Sequence, residues 1–121
     1  MSTILVVDDD PGVRYALTEV LADRGHRVIA ASSGAEALGL LEGVDVVVTD
    51  LAMPGMDGLE LVSRIAARAP ALPVILVTAH GSDQVFSIAS SRGVCRCVRK
   101  PFDIDEIARV IEQARPRPCG H

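Results

Sequence analysis

The chain has 121 residues, 49% of them apolar and 23% charged, with a formal net charge of -4 at pH 7. This is the size and composition of one ordinary globular domain, and it excludes both a two-core chain and a disordered one. Twelve Lys and Arg against sixteen Asp and Glu argue against a direct nucleic-acid surface, because phosphate binding needs a concentrated basic face. Met1-Ser2-Thr3 opens no basic-then-apolar leader, and no run approaches the roughly 18 apolar residues of a membrane span, so a cytoplasmic protein that does not engage a membrane is expected.

Thr3 to Val7 reads as an apolar strand ending in Asp8-Asp9-Asp10. Asp10-Pro11 is a helix start, a capping carboxylate before a proline at the first helical position, and the helix carries Val13, Leu17, Val20 and Leu21 inward until Gly25. Arg27 to Ala31 is a second strand, and Ser33-Gly34-Ala35-Glu36 is a capping box that opens a helix through about Leu41. The valine run from Val44 is then a strand covered on both faces, and it delivers Asp50 to its end. Met53-Pro54-Gly55 turns the chain, Asp57 caps the next helix with Leu61, Val62, Ile65 and Ala69 inward, and Pro70 stops it.

Leu72 to Val77 is a fourth strand ending in Thr78-Ala79. Gly81-Ser82-Asp83 starts a helix poor in helix formers, with Ser87, Ser90, Ser91, Val85 and Ile88. Val94 to Val98 is a fifth strand, followed by Arg99-Lys100-Pro101. Asp103 to Glu106 opens a last helix with Ile104, Ile107, Ala108 and Ile111 as its apolar stripe. The expected division is a domain over 1–114 and a tail or linker over 115–121. Cys95 and Cys97 alternate along the fifth strand and read as small hydrophobes sharing a buried face. A zinc site joining them to Cys119 and His121 has the ligand types, but half of it would sit in the tail.

Five strand-helix units with short connections and right-handed crossovers predict an α/β fold, a doubly wound five-stranded parallel sheet between helical layers. There is no dinucleotide or P-loop glycine motif. The order 2-1-3-4-5, a flavodoxin-like three-layer sandwich, brings Asp8, Asp9 and Asp50 together at the switch point between strands 1 and 3. Thr78 and Lys100 join them from strands 4 and 5. Three crowded carboxylates repel one another unless a cation joins them, and an all-oxygen set of this kind suits Mg²⁺. A carboxylate can also act as a nucleophile toward phosphorus, with a cation and hydroxyl nearby to stabilise the transferred group.

At these residues the chain resembles the receiver domains of two-component response regulators, from about Ile4 to Ala114. The resemblance rests on Asp8-Asp9, the D-x-x-M-P-G-M-D-G run from Asp50 to Gly58, Thr78-Ala79, and Lys100-Pro101-Phe102. It implies that Asp50 accepts a phosphoryl group from a sensor histidine kinase, a phosphotransfer protein or a small phosphodonor. Asp8, Asp9, Asp50 and the carbonyl of Ala52 would then bind Mg²⁺, and Thr78 and Lys100 would hold the phosphoryl oxygens. It implies a cis Lys100-Pro101 bond, and a switch that catalyses its own phosphorylation and dephosphorylation to act on an output domain, a downstream protein or a second copy in a homodimer. Thr78-Ala79-His80-Gly81 is most similar to receivers of the nitrogen-regulation and nitrogen-fixation kind.

One departure is Cys97, where receivers usually carry an aromatic residue that moves with the threonine. Either the aromatic half of the switch is absent, or the signal passes through the backbone and the weak fourth helix. Two rival readings are a receiver-like docking or dimerisation module that is not phosphorylated, and a haloacid-dehalogenase-like phosphatase using Asp8-Asp9-Asp10. The second has Gly12 where a hydroxyl or β-branched residue belongs, and it leaves Asp50 unexplained.

Overall fold

A computed structural model describes residues 2–51, 55–79 and 82–114. Strands β1 (Thr3–Val7), β2 (Arg27–Ala31), β3 (Val46–Asp50), β4 (Val74–Thr78) and β5 (Val94–Arg99) alternate with helices α1 (Pro11–Asp23), α2 (Gly34–Leu38), α3 (Gly58–Arg68), α4 (Asp83–Ser91) and α5 (Ile104–Gln113). All pairings are parallel and the strand order is β2-β1-β3-β4-β5, the doubly wound arrangement expected.

The period of two along each strand divides the apolar residues between two cores. Leu5, Val7, Val47 and Leu76 point to one side and pack with Ala37 of α2, Leu61, Val62 and Ile65 of α3, and Ala89 of α4. Ile4, Val6, Val46, Val48, Ile75 and Val77 point to the other side and meet Leu17 and Leu21 of α1 and Ile107, Ala108 and Ile111 of α5. Burial of each of these valine, leucine and isoleucine side chains contributes roughly 1.5–3 kcal/mol. The valine run is continuous because both faces of β3 are covered.

The helix starts follow the caps read from sequence. Asp10, Ser33, Asp57, Ser82 and Asp103 each accept a backbone N–H of their own first turn. Far from the sheet's carboxyl edge, Arg24 and His26 both reach Glu112 of α5, at 2.5 and 2.7 Å, and fix the end of that helix to the α1–β2 connection. No helix among the described residues is long and apolar enough to cross a membrane.

Four local expectations are corrected. Helix α2 stops at Leu38 and not near Leu41, because Gly39 and Leu40 turn back onto Glu36 and Ala37 through three-residue hydrogen bonds. Strand β3 begins at Val46 and not Val44, since Asp45 is used to pin the start of β1, with Thr3 N–H donating to its carboxylate and its own N–H donating to the Thr3 carbonyl, both at 2.8 Å. Similarly β4 starts at Val74 and not Leu72. The pairing of β4 with β5 slips between Val74 and Ile75, whose partners are Val94 and Arg96, so Cys95 stands outside the register. Cys95 is consequently exposed in a groove with Val110 and Gln113, while Cys97 is half-buried against the α2–α3–α4 core. Cys119 and His121, and the tail over 115–121, lie outside the described residues.

Candidate functional site

Because all five strands run the same way, their last residues share one edge of the sheet. Asp8 follows β1, Asp50 ends β3, Thr78 ends β4 and Lys100 follows β5. The buried valines that precede them fix the strand positions, so these polar groups are held by the core and not by loops.

Asp8 is 3% exposed and Asp50 8% exposed, while Asp9 faces solvent. One carboxylate oxygen from each of the three lies within 4.8 Å of the others. The Lys100 Nζ donates to Asp8 Oδ2 at 3.1 Å and to Asp50 Oδ2 at 2.9 Å. Burial pushes the Asp8 carboxyl above its ordinary range, and the neighbouring Asp50 charge adds to this against the opposing Asp10 N–H and Lys100. Burial alone would lower Lys100, but its hydrogen bonds to Asp50 and Asp8 prevail and its ammonium is held more firmly than usual. Three carboxylates thus face one ammonium, an excess of negative charge for which a divalent cation with oxygen ligands is the matching partner.

Thr78 is fully buried, one residue beyond Val77, the register partner of Asp50. Its carbonyl accepts the Lys100 N–H at 2.9 Å, so the ends of β4 and β5 hold threonine and lysine as one unit. The Lys100-Pro101 peptide bond is cis, as the resemblance implies. All the predicted side chains, Asp8, Asp9, Asp50, Thr78 and Lys100, are therefore on the one edge. Ala52 and His80 lie outside the described residues.

One residue that serves the site, Arg14, was missed from the sequence, and a second, Gly58, was seen only as the end of the run from Asp50. Arg14, one turn into α1, donates from its guanidinium to the Asp8 carbonyl at 2.7 Å, while the Asp10 N–H donates to Asp8 Oδ1 at 2.9 Å, so the acidic loop is clamped at both ends. The signal was an arginine among the half-buried positions of an otherwise apolar stripe. Gly58 opens α3 with its N–H on the Leu51 carbonyl at 2.7 Å, and a Cβ there would lie 2.6 Å from the Leu51 Cα. A glycine directly after a capping Asp was the available sign of that close approach.

An acidic pocket with a half-buried lysine and a buried threonine at the switch edge of a five-stranded parallel sheet can coordinate a cation and hold a phosphoryl group. Comparison with known proteins points the same way. Residues 4–112 match the Response regulator receiver domain family. The DNA-binding transcriptional regulator NtrC of Escherichia coli K12 is 42% identical over 113 residues, covering 92% of this chain and 24% of its own. Sporulation initiation phosphotransferase F of Bacillus subtilis is 36% identical over 115 residues and 93% of each chain is covered. The solved structure of response regulator protein TrrA from Thermotoga maritima, in complex with Mg²⁺ and BeF, superposes with a TM-score of 0.83 at 34% identity over 93% of this chain and 98% of that one. This chain spans about a quarter of the length of NtrC and of the transcriptional regulator GlrR, which is equally similar. The likeness to NtrC agrees with the nitrogen-regulation type read from the Thr78 to Gly81 run. By the match over nearly its whole length, the chain belongs to the family of response regulator receiver domains.

Proposed function

We propose that Asp50 is the phosphoryl acceptor of this domain, and that Asp8, Asp9 and Asp50 hold the Mg²⁺ on which the transfer depends. The observation that carries the reading is the buried Asp50 carboxylate with Lys100 Nζ at 2.9 Å and two further carboxylates beside it. A bound Mg²⁺ supplies charge neutralisation for the oxygens of the incoming phosphoryl group. An Asp50 oxygen attacks phosphorus in line and the bond from phosphorus to the donor breaks; an imidazole nitrogen takes up a proton and leaves as neutral imidazole, while an acyl oxygen leaves as the carboxylate anion. Lys100 then pairs with the new phosphoryl oxygens and the Thr78 hydroxyl donates to one of them. Arg14 keeps the Asp8 backbone in place throughout.

The donor is a phosphohistidine of a sensor kinase or phosphotransfer protein, or a small acyl phosphate. The phosphorylated state changes how the domain docks to an output domain or a separate protein, and contact with nucleic acid comes through such an output domain, as the name of NtrC indicates for that relative. Residues 1–114 form the receiver unit in this reading. TrrA, solved with Mg²⁺ and BeF, supports the metal and phosphoryl assignment by likeness.

The chain has no Trp, so intact mass spectrometry is the suitable readout. Incubation with acetyl phosphate and Mg²⁺ yields one phosphoryl adduct that hydroxylamine removes. EDTA and Asp50→Asn each abolish it. An adduct that survives Asp50→Asn but is lost in Asp8→Asn overturns the assignment in favour of a nucleophile at the end of β1. No adduct in wild type, with Mg²⁺ binding shown by calorimetry, favours a docking module.

A further inference from the structure

We propose that Arg99 couples the phosphorylation site to α4 by holding Phe86 and Asp83, providing from the helix the aromatic contact that β5 lacks at Cys97. The proposal rests on Asp50 being the phosphoryl acceptor. Arg99 is the last residue of β5, the register partner of Thr78, and the neighbour of Lys100. The Lys100 N–H is bonded to the Thr78 carbonyl and its Nζ to Asp50. The stretch of backbone that carries the two phosphoryl-binding groups of β4 and β5 therefore also carries Arg99.

The Arg99 side chain reaches the other way, onto α4. Its guanidinium carbon lies 4.5 Å from the centroid of the Phe86 ring, and its Nη2 donates to Asp83 Oδ1 at 2.6 Å. Asp83 and Phe86 are three residues apart, so both contacts fall on the first turn of the helix, beside its N-cap Ser82. Phe86 and Cys97 both pack against the same core cluster. Two residues past Cys97 on the strand, Arg99 belongs to that same face. The ring on this face thus comes from α4, and the strand grips it through a cation.

Helix α4 is built to respond to such a grip. Ala89 is its one fully buried residue, whereas α3 buries Leu61, Val62 and Ile65, and α5 buries Ile107, Ala108, Val110 and Ile111. Val85, Phe86 and Ile88 are half-buried, and the sequence DQVFSIASS is poor in helix formers. An element with so little buried surface opens at low cost, and a few contacts at one end decide its position. A phosphoryl group on Asp50 places new acceptor oxygens beside Lys100 and Thr78. Their rearrangement passes through the shared backbone to Arg99, and from Arg99 to the first turn of α4.

Arg99 is a positioning residue in this account, and its side chain is 52% exposed, so its replacement spares the fold. The test measures adduct formation by intact mass and amide hydrogen exchange over 83–91, with and without acetyl phosphate and Mg²⁺, in wild type, Arg99→Gln, Arg99→Lys and Phe86→Leu. All four accept the phosphoryl group equally. Wild type shows a change in α4 exchange on phosphorylation. In Arg99→Gln, exchange in the unphosphorylated protein rises by about three- to tenfold, the worth of one exposed ion pair and one cation–π contact, and the phosphorylation-dependent change disappears. Arg99→Lys keeps the charge and recovers part of that change, and Phe86→Leu loses it. Faster exchange in Arg99→Gln with the full wild-type response to phosphorylation makes Arg99 a structural tie only and overturns the proposal, as does a wild type that is phosphorylated without any α4 response. Absence of an adduct in wild type overturns the acceptor reading and the coupling with it.

Discussion

Replacing Gly58 by alanine is expected to damage the site from behind. Gly58 is buried at the first position of α3, and the three atoms nearest an added Cβ are all backbone: the Asp50 carbonyl oxygen and carbon, and the Leu51 Cα at 2.6 Å. None of them can swing aside as a side-chain tip can, so the end of β3 or the start of α3 must shift. Overpacking of this kind costs about 1–3 kcal/mol. Removing a glycine from the unfolded chain returns about 0.4–1 kcal/mol. The net loss is about 1–2 kcal/mol, which for a domain of this size lowers Tm by roughly 3–10 °C. Gly39→Ala is the matched control: the nearest atom to its Cβ is the Glu36 carbonyl oxygen at 3.5 Å, ordinary contact, and the backbone is already right-handed helical. That variant gains the entropic term alone and melts a few degrees higher. Thermal unfolding followed by far-UV circular dichroism measures both. Because the group displaced in Gly58→Ala is the carbonyl of Asp50 itself, phosphorylation by acetyl phosphate also slows. A Gly58→Ala protein as stable as wild type, or one destabilised but phosphorylated at the wild-type rate, would show that the contact with the Asp50 carbonyl does not hold the site.

Lys100→Met leaves the buried Asp8 and Asp50 carboxylates facing each other without their shared ammonium, and is expected to cost about 1–3 kcal/mol in metal-free buffer at neutral pH. Urea unfolding with added MgCl₂ should recover more stability in this variant than in wild type, where lysine competes for the same oxygens. Glu112 is held at a pKa of about 2, below its ordinary 4.5, chiefly by the Arg24 hydrogen bond and next by His26. A carboxyl lowered on folding contributes stability that is complete above the unfolded pKa and is lost as pH falls through the folded one. Glu112→Gln is therefore less stable than wild type above pH 4.5, and the gap closes as pH falls from 4.5 toward 2, as chemical denaturation at several pH values would show. Asp57→Ala removes the carboxylate that accepts the Glu60 N–H at 2.8 Å and costs about 1 kcal/mol, measurable as a lower urea midpoint.

What could be read before the fold was known had local causes. The caps at Asp10, Ser33, Asp57, Ser82 and Asp103 lie within three residues of the N–H groups they accept, so sequence spacing alone reveals them. The strand ends were legible because apolar runs stop where a carboxylate, Thr78 or the Arg99-Lys100 pair begins, and parallel order then gathers those ends on one edge. The misreadings arose where a distant partner decides. Asp45 leaves the strand for Thr3, 42 residues away, and a valine-rich run cannot announce that. The slip in register at Cys95 is set by β4, and no alternation pattern within β5 contains it. The Arg24, His26 and Glu112 clasp spans 86 to 88 residues of chain, and the Arg14 clamp on Asp8 needs a backbone carbonyl that composition does not show. Gly58 was visible as a letter, but its reason is the Asp50 carbonyl behind it.

In the proposed function one carboxylate of the acidic pocket, that of Asp50, becomes an acyl phosphate. Borohydride reduces an aspartyl phosphate to homoserine, so the protein can be phosphorylated with acetyl phosphate and Mg²⁺, reduced and mapped by peptide mass spectrometry. Homoserine is expected at position 50, with Asp8 and Asp9 recovered unchanged. Homoserine at position 8 or 9, or none at all from a protein that carries the phosphoryl adduct, would contradict it.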